Sequence, residues 1–435
     1  MRRIDLRGRA QALTPSELAA ALPRAEMDVA AATEQVALLL ADVKARGAAA
    51  LADQAERFDH VRPPTLKVPK QAIDQAVAAL DPTVRQALET AISRTRQVHT
   101  AQVPPGGTVT LADGATVTQR WIPVRRVGLY VPGGLAVYPS SVVMNVVPAQ
   151  AAGVQSLAIA SPAQQAHGGL PHPTILAAAG LLGVDEVYAA GGAGAVGLFA
   201  YGIPGQVDKV DVITGPGNVW VAAAKRLVRG LVGIDAEAGP TEIGIIADAS
   251  ADPEYVAADL VSQAEHDPLA ASVLFTDSAD LADAVDQAVE RRARATKHSE
   301  RVITALTGRQ SGLMLLDNLD QAVAAANEYG AEHLEIQTVN AAAVAAHISN
   351  AGAIFVGPYS PVPLGDYLAG SNHVLPTGGT AKFASGLGVT AFLKSVQQIQ
   401  YSGQALAEVG QQIVALANDE DLPAHGEAIQ ARAGR

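Results

Sequence analysis

The stretch VDVITGPGNVWVAAAKRLV, residues 210–228, indicates the architecture of this chain. Its first apolar residues are typical of a buried strand, the glycine-rich residues 214–218 predict a loop, and the rest has the composition of a helix. The same order of strand, glycine turn and helix recurs between about residues 127 and 240. Strands that alternate with helices in this way predict a largely parallel, doubly wound sheet.

A second block of the same kind follows. Its short apolar runs are predicted as strands: TEIGIIAD, SVLFTD, GLMLLD, HLEIQT and AGAIFVG. The segments between them are predicted as helices, around 253–265, 279–294, 319–329 and 340–350. Helical patterns precede the first block at 15–60 and 70–102, and the segment from Phe392 onward is also predicted to be helical. We therefore predict an α/β fold with two incomplete Rossmann-like, doubly wound domains and helical extensions at both ends.

The composition restricts the chemistry. The chain has 435 residues, of which 31 are basic and 43 acidic, and its formal net charge is −12. Because a nucleic-acid binder normally presents a basic face, this balance argues against that class. The chain contains no cysteine. Disulfides, thiolate zinc sites, iron–sulfur clusters and a cysteine nucleophile are thereby excluded, so a bound metal needs nitrogen and oxygen ligands.

The sequence also predicts a cytoplasmic protein that does not enter a membrane. The N-terminal residues MRRIDLRGRA carry charges with no apolar run behind them, which is unlike a secretory signal. The longest hydrophobic regions are interrupted by polar residues or proline, and none reaches eighteen apolar residues, about the length that a membrane-spanning helix needs.

Two glycine-rich loops follow predicted strands and precede helices. Residues 192–197 read GAGAVG, a formal G-x-G-x-x-G, and Asp211 lies roughly twenty residues further on. Such glycines let a dinucleotide approach a helix N-terminus, but a packing turn of small residues gives the same pattern. In the second loop, 214–218, Asn218 either holds a phosphate or carbonyl group or caps the next helix. Because both loops are expected at the carboxyl ends of strands, together they favour a nucleotide site.

Gln263 and His266 end a predicted helix and lie three residues apart, so both point from one face of it. That geometry suits two ligands of one cation. A surface helix end with a histidine near the C-terminal dipole is the ordinary alternative.

Glu332 and His333 precede a predicted strand and form a possible acid–base pair. The alternation of Leu334 and Ile336 beside them also fits an exposed strand edge.

Three further histidine and carboxylate positions are weaker signals. Asp366 and His373 lie in glycine-rich segments that are too polar for a core. His425 lies in the tail behind Glu420, where a solvated helix face is the default interpretation. Only convergence in space would make these residues a site.

Several blocks of sequence resemble one family, the histidinol dehydrogenases, from about residue 30 to 430. The resemblance is carried by VGLYVPGG (127–134), GVDEVYAAGG (183–192), VDVITGPGN (210–218), VGIDAEAGPTE (232–242), QAEHDP (263–268), EHLE (332–335), GDYLAGSNHVLPT (365–377) and EDLPAH (420–425). It implies a cytoplasmic, zinc-containing homodimer that oxidises L-histidinol to L-histidine with two NAD, the last steps of histidine biosynthesis.

The resemblance implies a discontinuous organisation. Residues 27–129 with 240–385 would form a first α/β domain on the zinc and substrate side, and 130–239 a second one on the NAD side. Residues 1–26 would be an N-terminal extension, and 386–435 a helical tail that reaches the partner subunit's site.

By position, the resemblance assigns the zinc ligands to Gln263, His266, Asp366 and His425, the last supplied by the partner subunit. The substrate-contacting positions would be Thr241, Gln263, His266, His333, Asp366, His373, Glu420 and His425.

The same resemblance gives roles to the acid–base pair and to the cofactor loops. His333 would take the hydroxyl proton, since an imidazole pKa near 6.5 suits that task, and Glu332 would activate water for the second oxidation. The NAD positions are Tyr130, Gly194 and Asn218. Gly194 stands where the family usually has glutamine, so a side-chain contact to NAD is missing, whereas Thr241 replaces serine and keeps the hydroxyl.

Two other functions remain open at this point. A zinc- and NAD-dependent dehydrogenase of another polyol, such as a sulfonated propanediol, is one, but Glu420 and His373 favour a cationic amino alcohol. The other is a non-catalytic nucleotide-binding relative, against which the presence of both Glu332 and His333 argues.

Overall fold

The fold is described from a computed structural model that covers residues 1–25, 29–133, 137–237 and 239–432. Gly134 of the motif 127–134 and Ala238 of the motif 232–242 lie outside these described residues.

The described strands are β1 (Arg3–Asp5), β2 (Gly107–Ala112), β3 (Ala115–Pro123), β4 (Arg126–Tyr130), β5 (Ser156–Ser161), β6 (Val187–Ala189), β7 (Val212–Thr214), β8 (Gly233–Ile234), β9 (Glu242–Ala247), β10 (Ala271–Thr276), β11 (Gly312–Leu315), β12 (His333–Gln337), β13 (Ala353–Val356) and β14 (Leu393–Tyr401). The described helices are α1 (Pro15–Ala21), α2 (Val29–Arg46), α3 (Ala48–Phe58), α4 (Lys70–Ala78), α5 (Pro82–Ala101), α6 (Pro139–Ala151), α7 (Pro173–Leu181), α8 (Gly192–Tyr201), α9 (Val219–Val228), α10 (Pro253–Ala264), α11 (Ala279–Ala295), α12 (Ser299–Thr307), α13 (Leu319–Tyr329), α14 (Ala341–Ala345), α15 (Val362–Tyr367), α16 (Gly403–Asp419) and α17 (Pro423–Gln430).

Strands β4 to β8 form a parallel sheet in the order β6-β5-β4-β7-β8. Helices α2, α8 and α9 pack on one face, and α4 to α7 pack on the other. The predicted doubly wound α/β arrangement is therefore confirmed. Because the strand order reverses between β4 and β7, the loops that follow Tyr130 and Thr214 border the crevice where open α/β sheets bind ligands.

The second sheet is also parallel, in the order β1-β11-β10-β9-β12-β13. Helices α10 to α12 cover one face, and α1 and α13 cover the other. The sequence did not predict β1, in which Ile4 pairs with Met314. A three-residue edge strand is too short to show a hydrophobic period, and only its neighbour fixes it.

The sequence-based expectation of an exposed edge at Glu332 to Glu335 is wrong. Strand β12 lies between β9 and β13, and all of its residues are buried. Its alternating polar residues therefore lie inside the protein, where each needs a partner.

A third, antiparallel sheet has the order β14-β3-β2. Strand β14 pairs with β3 from Leu393 opposite Pro123 to Tyr401 opposite Ala115, so the tail begins with a strand and not, as predicted, with a helix. Most of β14 is exposed, and its backbone pairing, which leaves little trace in hydrophobic pattern, determines its conformation.

Helices α6 and α8 are apolar on nearly every side because they are enclosed. Residues 140–149 of α6 and 193–200 of α8 are all buried. Within the described ranges, no helix combines the length and apolarity that crossing a bilayer requires.

Candidate active site

The two parallel sheets meet where the chain passes from one to the other. Strand β8 ends at Ile234 and β9 begins at Glu242, so a short linker joins the carboxyl edge of the first sheet to the amino edge of the second. Ser141, near the start of α6, also reaches across, with its Oγ 3.2 Å from Nε2 of His373. The candidate residues collect at this junction, at the amino ends of β9 and β12.

Glu332 is fixed by the start of β9. Its Oε2 accepts hydrogen bonds from Thr241 Oγ1 at 2.5 Å and from the backbone nitrogen of Glu242 at 2.9 Å. Burial raises the pKa of the Glu332 carboxyl, although the charge of His333 and the bond from Thr241 oppose the shift. A carboxyl in this setting can exchange a proton at a higher pH than an exposed glutamate.

The ring of His333 is oriented by a carbonyl. Its Nδ1 lies 3.1 Å from the backbone oxygen of Glu242 and 3.6 Å from Oε2 of Glu332. Because a carbonyl only accepts, Nδ1 carries the proton in the neutral ring and Nε2 keeps its lone pair. Nε2 is buried without a hydrogen-bond partner among the described residues, 3.9 Å from Oδ1 of Asp366. This nitrogen can therefore accept a proton or a hydrogen bond from a group that binds here.

The two polar atoms of the Gln263 side chain differ in their hydrogen bonding. It is 1 % exposed, and its Nε2 donates to Thr241 Oγ1 at 2.5 Å. Its Oε1 is buried and has no hydrogen-bond partner within the described part of the chain. An unsatisfied buried amide oxygen is costly, so this atom is a candidate ligand of a group that binds here.

His373 is held by both sides of the junction. Its Nδ1 lies 3.0 Å from the backbone oxygen of Asp366, and its other nitrogen faces Ser141. Burial lowers the pKa of His373; the Asp366 charge opposes this, while His333 and His266 lower it further. Asp366, His266, His333 and His373 are thus close enough to influence one another electrostatically.

The donor set fits a divalent cation that accepts nitrogen and oxygen ligands. Gln263 lies at the end of α10, His266 just after it, and Asp366 near the end of α15, and both helices end at the same junction. The described residues contain no group of three or more histidine, aspartate or glutamate side chains that would hold a metal unaided. A fourth ligand is therefore needed to complete a four-coordinate site.

Glu420 and His425 lie apart from this cluster. Both are exposed, Glu420 at the end of α16 and His425 within α17. The two helices pack against each other, and both side chains remain exposed.

Two of the predicted dinucleotide positions border the crevice of the first sheet. The hydroxyl of Tyr130 accepts from the backbone nitrogen of Gly192 at 3.2 Å, which joins β4 to the start of α8. Asn218 caps α9, since its Oδ1 accepts from the backbone nitrogens of Trp220 and Val221 at 3.1 and 3.3 Å. The capping interpretation of Asn218 is confirmed, and it places this loop beside β4.

Gly194 lies in the first turn of α8 with its Cα against α3. A Cβ built on it would lie 2.6 Å from Oε1 of Gln54 and 3.1 Å from Cδ2 of Leu51. Gln54 is buried and donates to the backbone oxygen of Leu39 at 3.2 Å. The side chain of Gln54 therefore fills the space that a side chain at residue 194 would need.

A buried ion pair that the sequence did not reveal holds the second glycine loop. Nζ of Lys225 donates to Oδ1 of Asp235 and to the carbonyl of Gly215, both at 2.5 Å, and Gly215 returns a bond to Asp235 at 2.8 Å. At φ +123°, Gly215 has no room for a Cβ, which would lie 2.0 Å from the Tyr130 carbonyl. This contact requires glycine and fixes the loop against β4.

Asp211 does not take the ribose-binding position that a literal dinucleotide fingerprint requires. It precedes β7, and its Oδ2 accepts from the backbone nitrogens of Arg125 and Arg126 at 2.8 and 3.2 Å, at the amino end of β4. The G-x-G-x-x-G match is thus not accompanied by the acidic residue of that motif.

Glu242, which sequence reasoning missed, lies directly behind the acid–base pair. It is 1 % exposed; its Oε1 accepts from Nη1 of Arg24 at 2.8 Å, and its Oε2 from the backbone nitrogen of Gly378 at 3.2 Å. Burial raises the pKa of Glu242 to about 7, against the pull of Arg24. In the sequence, Glu242 follows Thr241 in a run of residues typical of a strand. Nothing in that run indicated an ion pair with an arginine as distant in sequence as Arg24.

Fold and site define the class of protein: an α/β enzyme with a buried glutamate–histidine pair at the junction of two doubly wound sheets. A family model described as histidinol dehydrogenase matches residues 22–433. The histidinol dehydrogenase of Thermobifida fusca (strain YX) is 59% identical over 433 residues, covering 100% of this chain and 98% of that protein. That of Mycobacterium tuberculosis (strain ATCC 25618 / H37Rv) is 59% identical over 434 residues, covering 99% and 97%.

A solved structure agrees with these matches. The crystal structure of histidinol dehydrogenase from Elizabethkingia anophelis superposes with a TM-score of 0.90 at 31% identity, covering 97% of this chain and 96% of that one. The chain therefore belongs to the histidinol dehydrogenase family, and it is an oxidoreductase.

The raised pKa of Glu242 predicts a pH dependence of stability. An acid whose pKa rises from 4.5 when unfolded to about 7 when folded binds more protons in the native state between those values. Glu242 does not lower the free energy of unfolding below pH 4.5. Its destabilising contribution grows as pH rises through 7 and reaches about 3 kcal/mol. Glu242→Gln should reduce the fall in unfolding free energy between pH 5 and 8, measured by urea titration at each pH. Glu290→Gln, an exposed change on α11, serves as control, and parallel profiles for all three proteins would contradict the assignment.

Proposed function

We propose that the protein oxidises L-histidinol to L-histidine through the aldehyde, using two NAD and a zinc ion, in the last steps of histidine biosynthesis. The observation that carries the proposal is the buried Glu332–His333 pair, with Nε2 of His333 and Oε1 of Gln263 both buried and without a hydrogen-bond partner among the described residues. Membership of the family supplies the substrate class.

We assign the zinc ligands to Gln263, His266, Asp366 and the partner subunit's His425. Amide, imidazole and carboxylate are the only donors that a chain without cysteine offers, apart from backbone and hydroxyl oxygens. The free Gln263 oxygen supports the first ligand, and the exposed position of His425 supports a ligand given to another subunit. The proposal thus includes a homodimer with shared sites, working in the cytoplasm.

When bound, NAD accepts a hydride in each oxidation, and zinc anchors and orients the imidazole and amine of the substrate. His333 takes the hydroxyl proton at Nε2 in the first oxidation, while the Glu242 carbonyl stabilises the proton on Nδ1. His373, Thr241 and the partner subunit's Glu420 border the substrate, and the carboxylate of Glu420 suits its cationic amine.

Glu332 acts between the two oxidations. Among the described residues, both hydrogen bonds that it accepts go to Oε2, which leaves Oε1 for a water. By removing a proton from that water, Glu332 promotes its addition to the aldehyde carbon. After releasing its first proton to solvent, His333 accepts a proton from the resulting hydrate as the carboxylate forms. Tyr130, Gly194 and Asn218 are proposed to border the NAD, which lies in the crevice beside β4.

The substrate assignment is tested by turnover. We expect NADH formation with L-histidinol and none with dihydroxypropanesulfonate, because Glu420 would repel a sulfonate. Activity with the sulfonate alone would support the other polyol dehydrogenase, and binding of NAD without turnover of either alcohol would support a non-catalytic relative.

The division of work within the acid–base pair gives a second prediction. Glu332→Gln should leave aldehyde formation largely intact and slow oxidation of the aldehyde by about 100-fold, the usual scale of general base catalysis. His333→Asn should slow both steps. Single-turnover assays that start from the alcohol or from the aldehyde separate the two, and equal losses in both steps for Glu332→Gln would show that the division is wrong.

Shared sites are tested by mixing two inactive variants. His266→Ala and His425→Ala should each abolish zinc binding and turnover. After unfolding and refolding together, half of the dimers are mixed, and each mixed dimer has one intact site, so about one quarter of the activity should return. Each variant refolded alone is the control. No recovery despite mixed dimers, verified by mass, would place all ligands in one chain.

A further inference from the structure

A second buried polar cluster lies in the same sheet as the acid–base pair and takes no part in the proposed chemistry. Glu335 is 1 % exposed and Gln337 is 4 % exposed, both on the strand β12 that begins with His333. Nε2 of Gln337 donates to Oε2 of Glu335 at 3.0 Å and to Oδ2 of Asp259 at 3.2 Å. The cluster therefore connects β12 with α10.

Because one nitrogen, Nε2 of Gln337, bonds to both carboxyl groups, Asp259 and Glu335 lie next to each other. Two neighbouring buried carboxylates repel each other, and the repulsion is relieved when one of them keeps a proton. Burial, followed by the Asp259 charge, raises the pKa of Glu335 well above its usual range, so Glu335 is the group that keeps the proton. The Arg292 charge acts on Asp259 only weakly, and Arg292 itself is bonded to Glu254.

Each end of this pair leads to a site residue. Asp259 lies one helical turn before Gln263 on α10, so their side chains share a face. Glu335 accepts at Oε1 from the backbone nitrogen of Val362 at 2.8 Å, which is the first residue of α15. Asp366 lies one turn further along α15.

Helix α15 depends on this contact more than a longer helix would. It has six residues, too few to be stable alone, and Pro361 and Pro363 on either side of Val362 have no N–H to bond. The carboxyl of Glu335 thus receives the N–H that starts the helix, and with it fixes the direction in which Asp366 points.

We propose that Asp259 and Glu335 are positioning residues whose shared proton ties α10, β12 and α15 together and so sets the relative places of Gln263, His333 and Asp366. The predicted effect on metal affinity rests on the proposed zinc ligands, whereas the predicted effect on the position of the His333 ring does not.

The test uses the full-length dimer and three variants of the pair. Glu335→Gln keeps a donor toward Asp259 and an acceptor for Val362, so it should retain the zinc dissociation constant within about twofold. Asp259→Ala and Glu335→Leu break the link and should weaken zinc binding by about tenfold or more, the scale for residues that support metal ligands. Chelator competition measures the affinity, and thermal unfolding of the metal-free proteins shows that they are folded. Glu290→Ala, an exposed change on the neighbouring helix α11, is the control.

A second measurement keeps the proposal testable without metal. In metal-free protein labelled with ¹⁵N-histidine, Asp259→Ala should shift the ring signals of His333, and Glu335→Gln should leave them in place. Since Asp259 is only partly buried, this variant tests the proposal even where Glu335→Leu fails to fold.

The outcomes separate the two proposals. A wild-type protein that binds no zinc would overturn the metal assignment, and the histidine signals would then decide the positioning role. A folded Asp259→Ala with wild-type zinc affinity and wild-type His333 signals would overturn the positioning role. Equal damage from Glu335→Gln and Glu335→Leu would show that no shared proton is involved.

Discussion

The carboxylate of Glu332 receives two hydrogen bonds from the first residues of β9, and the geometry of the site depends on them. They join the amino ends of two neighbouring strands at the point where the six-stranded sheet meets the five-stranded one. Thr241, which donates one of them, accepts from Gln263 in turn, so a single hydroxyl relates the acid–base pair to the proposed metal ligand. A hydroxyl suits this place because it donates and accepts at once.

Open α/β sheets usually bind ligands at the carboxyl ends of their strands, and only one of the two sheets follows this rule here. The five-stranded sheet presents loops at the carboxyl ends of β4 and β7, as open parallel sheets do at their ligand sites. The six-stranded sheet instead presents the amino ends of β9 and β12, where helix α10 also ends. A short linker joins the two edges at one junction. In the function that we propose, the cofactor on one sheet meets the substrate on the other at this junction.

Buried ionisable groups surround the junction, and each has a partner. Lys225 with Asp235 fixes the loop beside β4, Arg24 neutralises Glu242 behind the acid–base pair, and Asp259 with Glu335 supports the helices that carry Gln263 and Asp366. Charged groups are costly to bury, and their partners must be close and well oriented. Apolar residues would pack as well in these places, but they would not fix the orientation of neighbouring side chains. The cost of burying polar pairs is therefore consistent with a site whose side chains need fixed positions.

The sequence by itself determined the order of strands and helices, because burial on a sheet or helix face leaves a period in the apolar residues. It also restricted the chemistry, since a chain without cysteine cannot form a thiol adduct with its substrate. Tertiary structure decided what no local period encodes: that β1 and β14 are strands, that the carboxylates of β12 face inward, and that Arg24 pairs with a glutamate more than two hundred residues away. These features arise from pairing and hydrogen bonds between distant segments. Their energies depend on which backbones meet, and only the folded chain brings those backbones together.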